Sequence, residues 1–485
     1  LTPLLLAALL AAPTDTLVVG TLAEPAGLEP HQATDIVAAE IVASVCDTLV
    51  RVRPGSLRPE GVLATSWATA DQRVWTFTLR EGVRFHDGSL FDADAVVGNF
   101  EHLRRERAFP GRAERLGPLV VQLTLERPNA ALLSTLSQPF FALQSPLRLH
   151  DAPEGPPVGT GPFKLVRARP GLVELEAFAG HWAGRPRLLR LAFRRFADED
   201  ALAAALVSGE ADVTSALGPG RAARLRDEAG LALDSQTGLN LVYLAVNNER
   251  PPFTDARVRR ALSRAIDRVA LTRDVLGGHA EPAHGPLPPT LSGHDARARE
   301  LVLDPEAARR LLDAALPAGP LGPTLTVSRD PRPYLVDPLG VARRLRDDLA
   351  RVGVAVVLRE TPTWSEQVRL TAAGDFDLAL LGWQADTLDA NDFLTALLDS
   401  GSVGTTNRSR YRSPTVDGLL KRARVERAPA ARLALYRSAQ EQFQRDMPFV
   451  PLYHTPVFTA HRRHVHGLAV GPTGILRFDK AWKQP

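Results

Sequence analysis

Strand-like and helix-like stretches of apolar and polar residues alternate most clearly between residues 324 and 383. Thr324-Leu325-Thr326-Val327 reads as a strand, and Asp337-Pro338 then supplies an N-cap with proline in the first helical turn. Apolar side chains recur at Ala342, Leu345, Leu349 and Val352 before Gly353 ends that helix. Val354–Leu358 reads as a second strand, and Thr363-Trp364-Ser365-Glu366 as a capping box opening a short helix. Asp375-Phe376-Asp377 leads into a third strand, Leu378–Trp383. Strand-helix-strand-helix-strand predicts a parallel sheet with helices packed on it. Ligands of such sheets bind beyond the carboxyl ends of strands, where the strand order reverses. A site is therefore expected just after Trp383, at Gln384-Ala385-Asp386-Thr387-Leu388-Asp389. Two more capped helices are predicted, one after Asp304-Pro305 and one after Asp92, the latter with Val96, Phe100 and Leu103 on one face.

At 485 residues the chain is too long for one ordinary core, so two or three domains are expected. Proline and glycine punctuate it at 153–161, 218–220 and 282–289. The 58 basic and 55 acidic residues are interleaved, without the basic stripe that a nucleic-acid surface needs. Leu4 to Ala12 form a nine-residue apolar run, which fits the core of a secretory leader and falls far short of the ~20 residues of a membrane span. Residues 1–13 are expected to be the remnant of that leader, and the protein to be exported to the periplasm or beyond. Cys46 is the only cysteine, so no intrachain disulfide exists. It sits in the apolar stretch from Ile41, reads as a buried thiol, and lies too far from the leader for a lipid anchor.

No nucleophile elbow, zincin helix, phosphate loop or dinucleotide fingerprint occurs, so neither an enzyme nor a cofactor is expected. Gly159-Thr160-Gly161 runs into Pro162, which lacks the N–H a phosphate would want, and reads as a tight crossing between lobes. The tail histidines His454, His461, His464 and His466 read as a solvated turn rather than a metal site.

Residues 63–97, from Leu-Ala-Thr-Ser-Trp through Trp-Thr-Phe-Thr-Leu-Arg-Glu-Gly-Val-Arg-Phe-His-Asp-Gly to Asp-Ala-Val, resemble the hallmark of the family-5 extracellular solute-binding proteins. These are the dipeptide, oligopeptide and nickel receptors of ABC importers. Four further blocks match in order: Val158–Phe163, Gly180–Pro186, Tyr243–Asn247 running on to Arg268, and Pro448–His454. The resemblance implies a two-lobed α/β periplasmic-binding-protein fold of class II type, with an extra α/β subdomain and the ligand in the interlobe cleft. Lobe I would comprise residues 14–45, 158–245 and 462–485, the extra subdomain 46–157, and lobe II 246–461.

In the peptide receptors of this family, an aspartate after a Gly-Trp at a strand end receives the peptide's ammonium group. Gly382-Trp383-Gln384-Ala385-Asp386 supplies that aspartate, and a charge-assisted hydrogen bond there contributes ~1.5–3 kcal/mol. In the dipeptide receptors an arginine in Arg-Pro-Tyr clamps the carboxylate, and Arg332-Pro333-Tyr334 occupies that place. Thr21 and Glu24, after the apolar stretch Leu17–Val19, complete the expected ligand set of Asp386, Trp383, Gln384, Ala385, Arg332 and Tyr334. The residues after Asp386 and after Tyr334 depart from the family pattern, which leaves the ligand's length and side chains open. The expected partners are a short peptide and the permease and ATPase subunits of an importer, with the receptor itself monomeric and without nucleic acid. Two other readings remain: a receptor of the same fold for a metal chelate, haem or opine, or the sensor part of a regulator. The last would need a helix-turn-helix ahead of the receptor blocks.

Overall fold

The computed structural model describes residues 16–484 except 34, 53–57, 107, 152–154, 298–301, 317–320, 386 and 472. The expected leader and Asp386 thus lie outside the described residues. Among those described, no helix is long and apolar enough to cross a membrane.

Three larger sheets organise the described residues, beside three two-stranded ones. The first has seven strands, in spatial order Leu231–Thr237, Pro456–Arg462, Val213–Thr214, Thr16–Thr21, Arg190–Arg195, Leu172–Ala177 and Phe163–Arg169. Thr16–Thr21, buried throughout, runs parallel to both of its neighbours. The helix Ile36–Val45 packs Ile41, Val42 and Val45 onto Leu17, Phe163 and Leu191 of this sheet. The second sheet has six strands, in the order Glu281–Pro282, Phe449–His454, Asn240–Val246, Leu378–Gln384, Thr324–Ser328 and Val357–Thr361. An antiparallel four-stranded sheet (Ala64–Thr69, Val74–Leu79, Val120–Leu125 and Gly111–Gly117) forms the extra subdomain. Its core of Phe77, Phe85, Phe100 and Leu123 is closed by the helix Ala93–Arg105.

The predicted strand-helix unit is present in the second sheet, with Thr324–Ser328 in the middle and parallel to both flanking strands. Asp337 caps the helix Pro338–Ala350 by accepting from Gly340 N at 2.8 Å, and Thr363 caps Trp364–Ala373 by accepting from Glu366 N at 3.2 Å. The second strand begins at Val357 rather than Val354. Val354 points into the core and makes only an isolated bridge to Leu321. The neighbouring Pro323 lacks the N–H that a regular ladder would use.

The lobes meet where the chain changes sheet. The expected boundaries at 245/246 and 461/462 are displaced: Asn240–Val246 belongs to the lobe II sheet, and Pro456–Arg462 to the lobe I sheet. Both crossings are continuations of apolar strands, so no change of periodicity marks them. At the crossing, Gly238 N (3.1 Å) and Asn240 Nδ2 (2.9 Å) both donate to the Thr455 carbonyl, while Asn240 Oδ1 accepts from Thr455 N at 2.8 Å. A Cβ on Gly238 would fall 2.6 Å from that carbonyl, so the two crossings approach as closely as glycine allows. His454 places Nδ1 2.6 Å from the Asn240 carbonyl and is fully buried, contrary to the solvated turn expected for it. Burial pushes its imidazole down to about 4. His461 and His466 are likewise strand residues; His464 lies in the turn between them.

Gly159-Thr160-Gly161 crosses between the subdomain and lobe I, not between the two lobes. His86 N donates to Gly159 O and Gly161 N to Val45 O, both at 2.9 Å. Thr160 Oγ1 (3.0 Å) and Trp182 Nε1 (2.9 Å) both donate to Asp47 Oδ2. A Cβ on Gly161 would sit 2.7–2.8 Å from the backbone of Ser44 and Val45, and one on Gly159 would sit 2.6 Å from the buried Cys46 Sγ. Three of the five family blocks therefore meet at one structural joint. The other two meet inside lobe II. There the buried Arg259 donates to the carbonyls of Phe253, Asp446 and Met447, and Arg268 to those of Pro451 and Ser263. The motifs that carry the resemblance are scaffold.

Candidate functional site

The strand order reverses at Thr324–Ser328, and the carboxyl ends of this strand and of Leu378–Gln384 open side by side. Beyond the latter end lie two adjoining cavities. The smaller, about 160 Å³, is bounded by Gln384 and Ala385 of lobe II, by Asp35, Ile36 and Ala39 at the start of the lobe I helix, and by Gln138–Phe140 of the subdomain. The larger, about 380 Å³, shares Gln138, Pro139, Thr473 and Ile475 with it. It extends to Thr387 and Leu388 on the lobe II side and to Arg51, Glu60, Arg477 and Asp479 opposite. All three structural units thus contribute to one cleft.

The loop that lobe II presents to this cleft is fixed from behind. Asp392 accepts from Trp383 Nε1 at 3.2 Å and from Thr387 N at 2.7 Å, clamping the chain on both sides of position 386. Asp389 caps the helix Ala390–Leu398 through Asn391 N and also accepts from Arg432 Nη2 (2.9 Å) and the Tyr436 hydroxyl (3.0 Å). The work of capping that helix is therefore done by Asp389. A loop held at so many points presents its polar groups with little ordering cost on binding.

On the opposite wall most charges are already paired. Asp35 accepts from Ala38 N and Ala26 N, and Arg51 pairs with Glu60 at 2.7 Å and Asp479 at 3.3 Å. Arg477 differs. Its side chain makes no hydrogen bond or ion pair among the described residues, and burial, followed by the charge of Arg51, pushes its guanidinium below the usual value. A shielded cation at a cleft wall, without a bonded anion, is suited to receive one from a ligand. Beneath this wall Glu40 accepts from Leu476 N at 3.1 Å and Ser215 Oγ at 3.2 Å, and burial raises its carboxyl to about 8.

Of the residues expected at the site, Gln384 and Ala385 line the cleft and Trp383 anchors the loop just before them. Asp386 lies outside the described residues. Tyr334 is buried with its ring against Gly382, where a Cβ would come 2.3 Å from Tyr334 Cε2. Arg332 is exposed, bonded through its backbone to Leu335, with its guanidinium beside the Tyr334 hydroxyl and 5.3 Å from the centroid of Trp364. These two residues stand at the neighbouring strand end and line neither cavity. Thr21, at the corresponding strand end of lobe I, spends its hydroxyl on the carbonyls of Ala23 (3.1 Å) and Arg194 (3.4 Å). Glu24 accepts from Gly171 N at the tip of a hairpin. Arg51, Gln138, Thr473 and Arg477 were not expected. Arg477 had one visible signal, a lone charge in the apolar run Ile475-Leu476-Arg477-Phe478.

Residues 58–405 match the middle region of the bacterial extracellular solute-binding proteins, family 5. The chain is 30% identical over 505 aligned positions to di/tripeptide-binding protein 2 of Pseudomonas aeruginosa, covering 96% of this chain and 94% of that one. Among solved structures it is similar to HbpA2 from Haemophilus parasuis, with a TM-score of 0.91 and 26% identity over 97% of this chain and all of that one. It is also similar to the dipeptide-binding protein from Pseudoalteromonas sp. SM9913 in complex with Met-Leu, with a TM-score of 0.78 and 26% identity over 97% of this chain and all of the other.

Proposed function

The chain belongs to the bacterial extracellular solute-binding proteins, family 5, and we propose that it captures short peptides outside the cytoplasm and hands them to the membrane permease of an ATP-driven importer. The observation that carries this reading is the cleft at the carboxyl end of Leu378–Gln384, walled by both lobes and the subdomain, with a pinned loop on one side and an unpaired arginine on the other. No covalent step is needed: binding energy closes the lobes, and opening releases the ligand. Asp386 receives the peptide's ammonium from the lobe II loop, Gln384 and Ala385 border the peptide backbone, and Arg477 receives the carboxylate. Arg332, outside both cavities, contributes less than Arg477. The di/tripeptide-binding relative and the Met-Leu complex support this choice of ligand class.

The test is native mass spectrometry of the purified protein, followed by denaturation and identification of what is released, with calorimetry on the peptides found. The expected result is a set of short peptides whose affinity falls by at least ~1.5 kcal/mol in Asp386→Ala, and further in Arg477→Ala than in Arg332→Ala. A single non-peptide species, or unchanged affinity in Asp386→Ala, would overturn the assignment while leaving the receptor fold intact.

A further inference from the structure

Away from the cleft, at the contact between lobe I and the subdomain, three side chains with metal-binding atoms converge. Glu29 and His31 belong to the segment that forms the short 3-10 helix Pro30–Gln32, and His102 lies in the last turns of the helix Ala93–Arg105. One donor atom from each lies within 4.8 Å of those of the other two. The two imidazole rings stand 5.0 Å apart at 30°, and His31 Nδ1 is 3.9 Å from Glu29 Oε1.

His31 is the second, independent observation. Its side chain is 4% exposed, yet neither ring nitrogen has a hydrogen-bond partner among the described residues. The Ala142 carbonyl is near enough to favour a proton on the ring, but not in hydrogen-bond geometry. A buried imidazole with both nitrogens idle costs free energy that a ligand would recover. An imidazole offers a metal one lone-pair nitrogen, and here neither ring nitrogen is committed to another partner among the described residues.

We propose that Glu29, His31 and His102 form a binding site for one divalent late transition-metal ion, which ties lobe I to the subdomain. Two imidazoles and a carboxylate suit zinc, nickel or copper and not the oxygen-seeking magnesium or calcium. Bonds of 2.0–2.1 Å in tetrahedral geometry bring donor atoms to about 3.3 Å from one another, so the three must draw together. His102, only partly buried near its helix end, has the freedom to do this. Glu29 keeps its place through Arg148 Nη2, 3.2 Å from Oε2, and through Gln144 Nε2 on Oε1, an oxygen with a second lone pair to give. The ion would sit behind the cleft wall: His31 packs on Phe140, 6.1 Å away, which lines the smaller cavity.

The experiment titrates Zn²⁺ into the full chain after chelator treatment, by calorimetry, and records Co²⁺ absorption as a report on coordination. One ion per chain is expected, with a rise in Tm. His102→Ala should keep the zinc-free Tm and circular dichroism of the parent, yet bind the ion more than about tenfold more weakly and lose the Tm rise; Glu29→Gln, which also gives up the Arg148 pair, should start from a lower zinc-free Tm and lose the rise as well. No zinc binding by the parent would overturn the proposal. So would equal binding by parent and variants, which would place the ion on other histidines such as His284 and His294. Peptide binding enters neither readout, so the result stands apart from the transport reading.

Discussion

The joint between the subdomain and lobe I and the crossing between the two lobes are both short, buried and rich in hydrogen bonds, but they are built for opposite purposes. At the joint, backbone presses on backbone: Gly159 and Gly161 lie against Val45 and Cys46 with no room for a Cβ, and Asp47 gathers donors from Thr160 and Trp182. Any rotation there would open a void or drive atoms together. At the interlobe crossing the bonds run from one connecting strand to the other, through Asn240, Thr455 and His454. They are not bonds between lobe faces, so the pair can bend as a unit without breaking them. This contrast predicts that the subdomain moves with lobe I as one body and that closure over a ligand is a motion of lobe II.

The largest expected effect tests the rigid side. Gly161→Ala should lower stability in urea titration by about 3 kcal/mol, from overpacking against fixed backbone, while the folded fraction binds peptide as before. A loss below about 0.5 kcal/mol would mean the joint yields. Next comes the acid side of the hinge. Burial pushes the His454 imidazole down to about 4 from its ordinary 6.5. As pH falls through that window the unfolded chain takes up the proton first, so stability is intact above 6.5 and declines towards 4, by on the order of 2–3 kcal/mol. His454→Gln should flatten this part of the Tm-against-pH curve, and an unchanged slope would assign the loss to other groups. The smallest effect is Asn240→Ala, about 1–2 kcal/mol from the stranded Thr455 groups. In contrast to Gly161→Ala, it should shift the open-closed distribution seen by small-angle scattering. A distribution identical to the parent's would remove Asn240 from the hinge.

How much of this was legible depended on how local the cause was. The helices capped by Asp92, Asp304, Asp337 and Thr363 are where their caps and apolar spacing put them, because a cap acts within four residues. The strand at 357 begins three residues later than its apolar run predicts because the reason, Pro323, lies just ahead of the neighbouring strand. Gln384 and Ala385 could be placed at the cleft from strand order alone. The wall facing them draws on residues near 35, 51, 138 and 477, and no local pattern announces that such distant stretches will meet. The family blocks were the loudest signal in the sequence, and they mark the joint and the lobe II core rather than the ligand.

The sulfur of Cys46, buried under Gly159, now has a use. The chain contains no other thiol, and this one is both covered and held protonated far beyond its ordinary range by burial. Gly159 packs so closely over it that a Cβ there would lie 2.6 Å from the sulfur, so a reagent is expected to reach it only when that contact opens. Labelling of Cys46 in the unmodified protein is therefore expected to report separations of the subdomain from lobe I, at a rate that saturating ligand leaves unchanged.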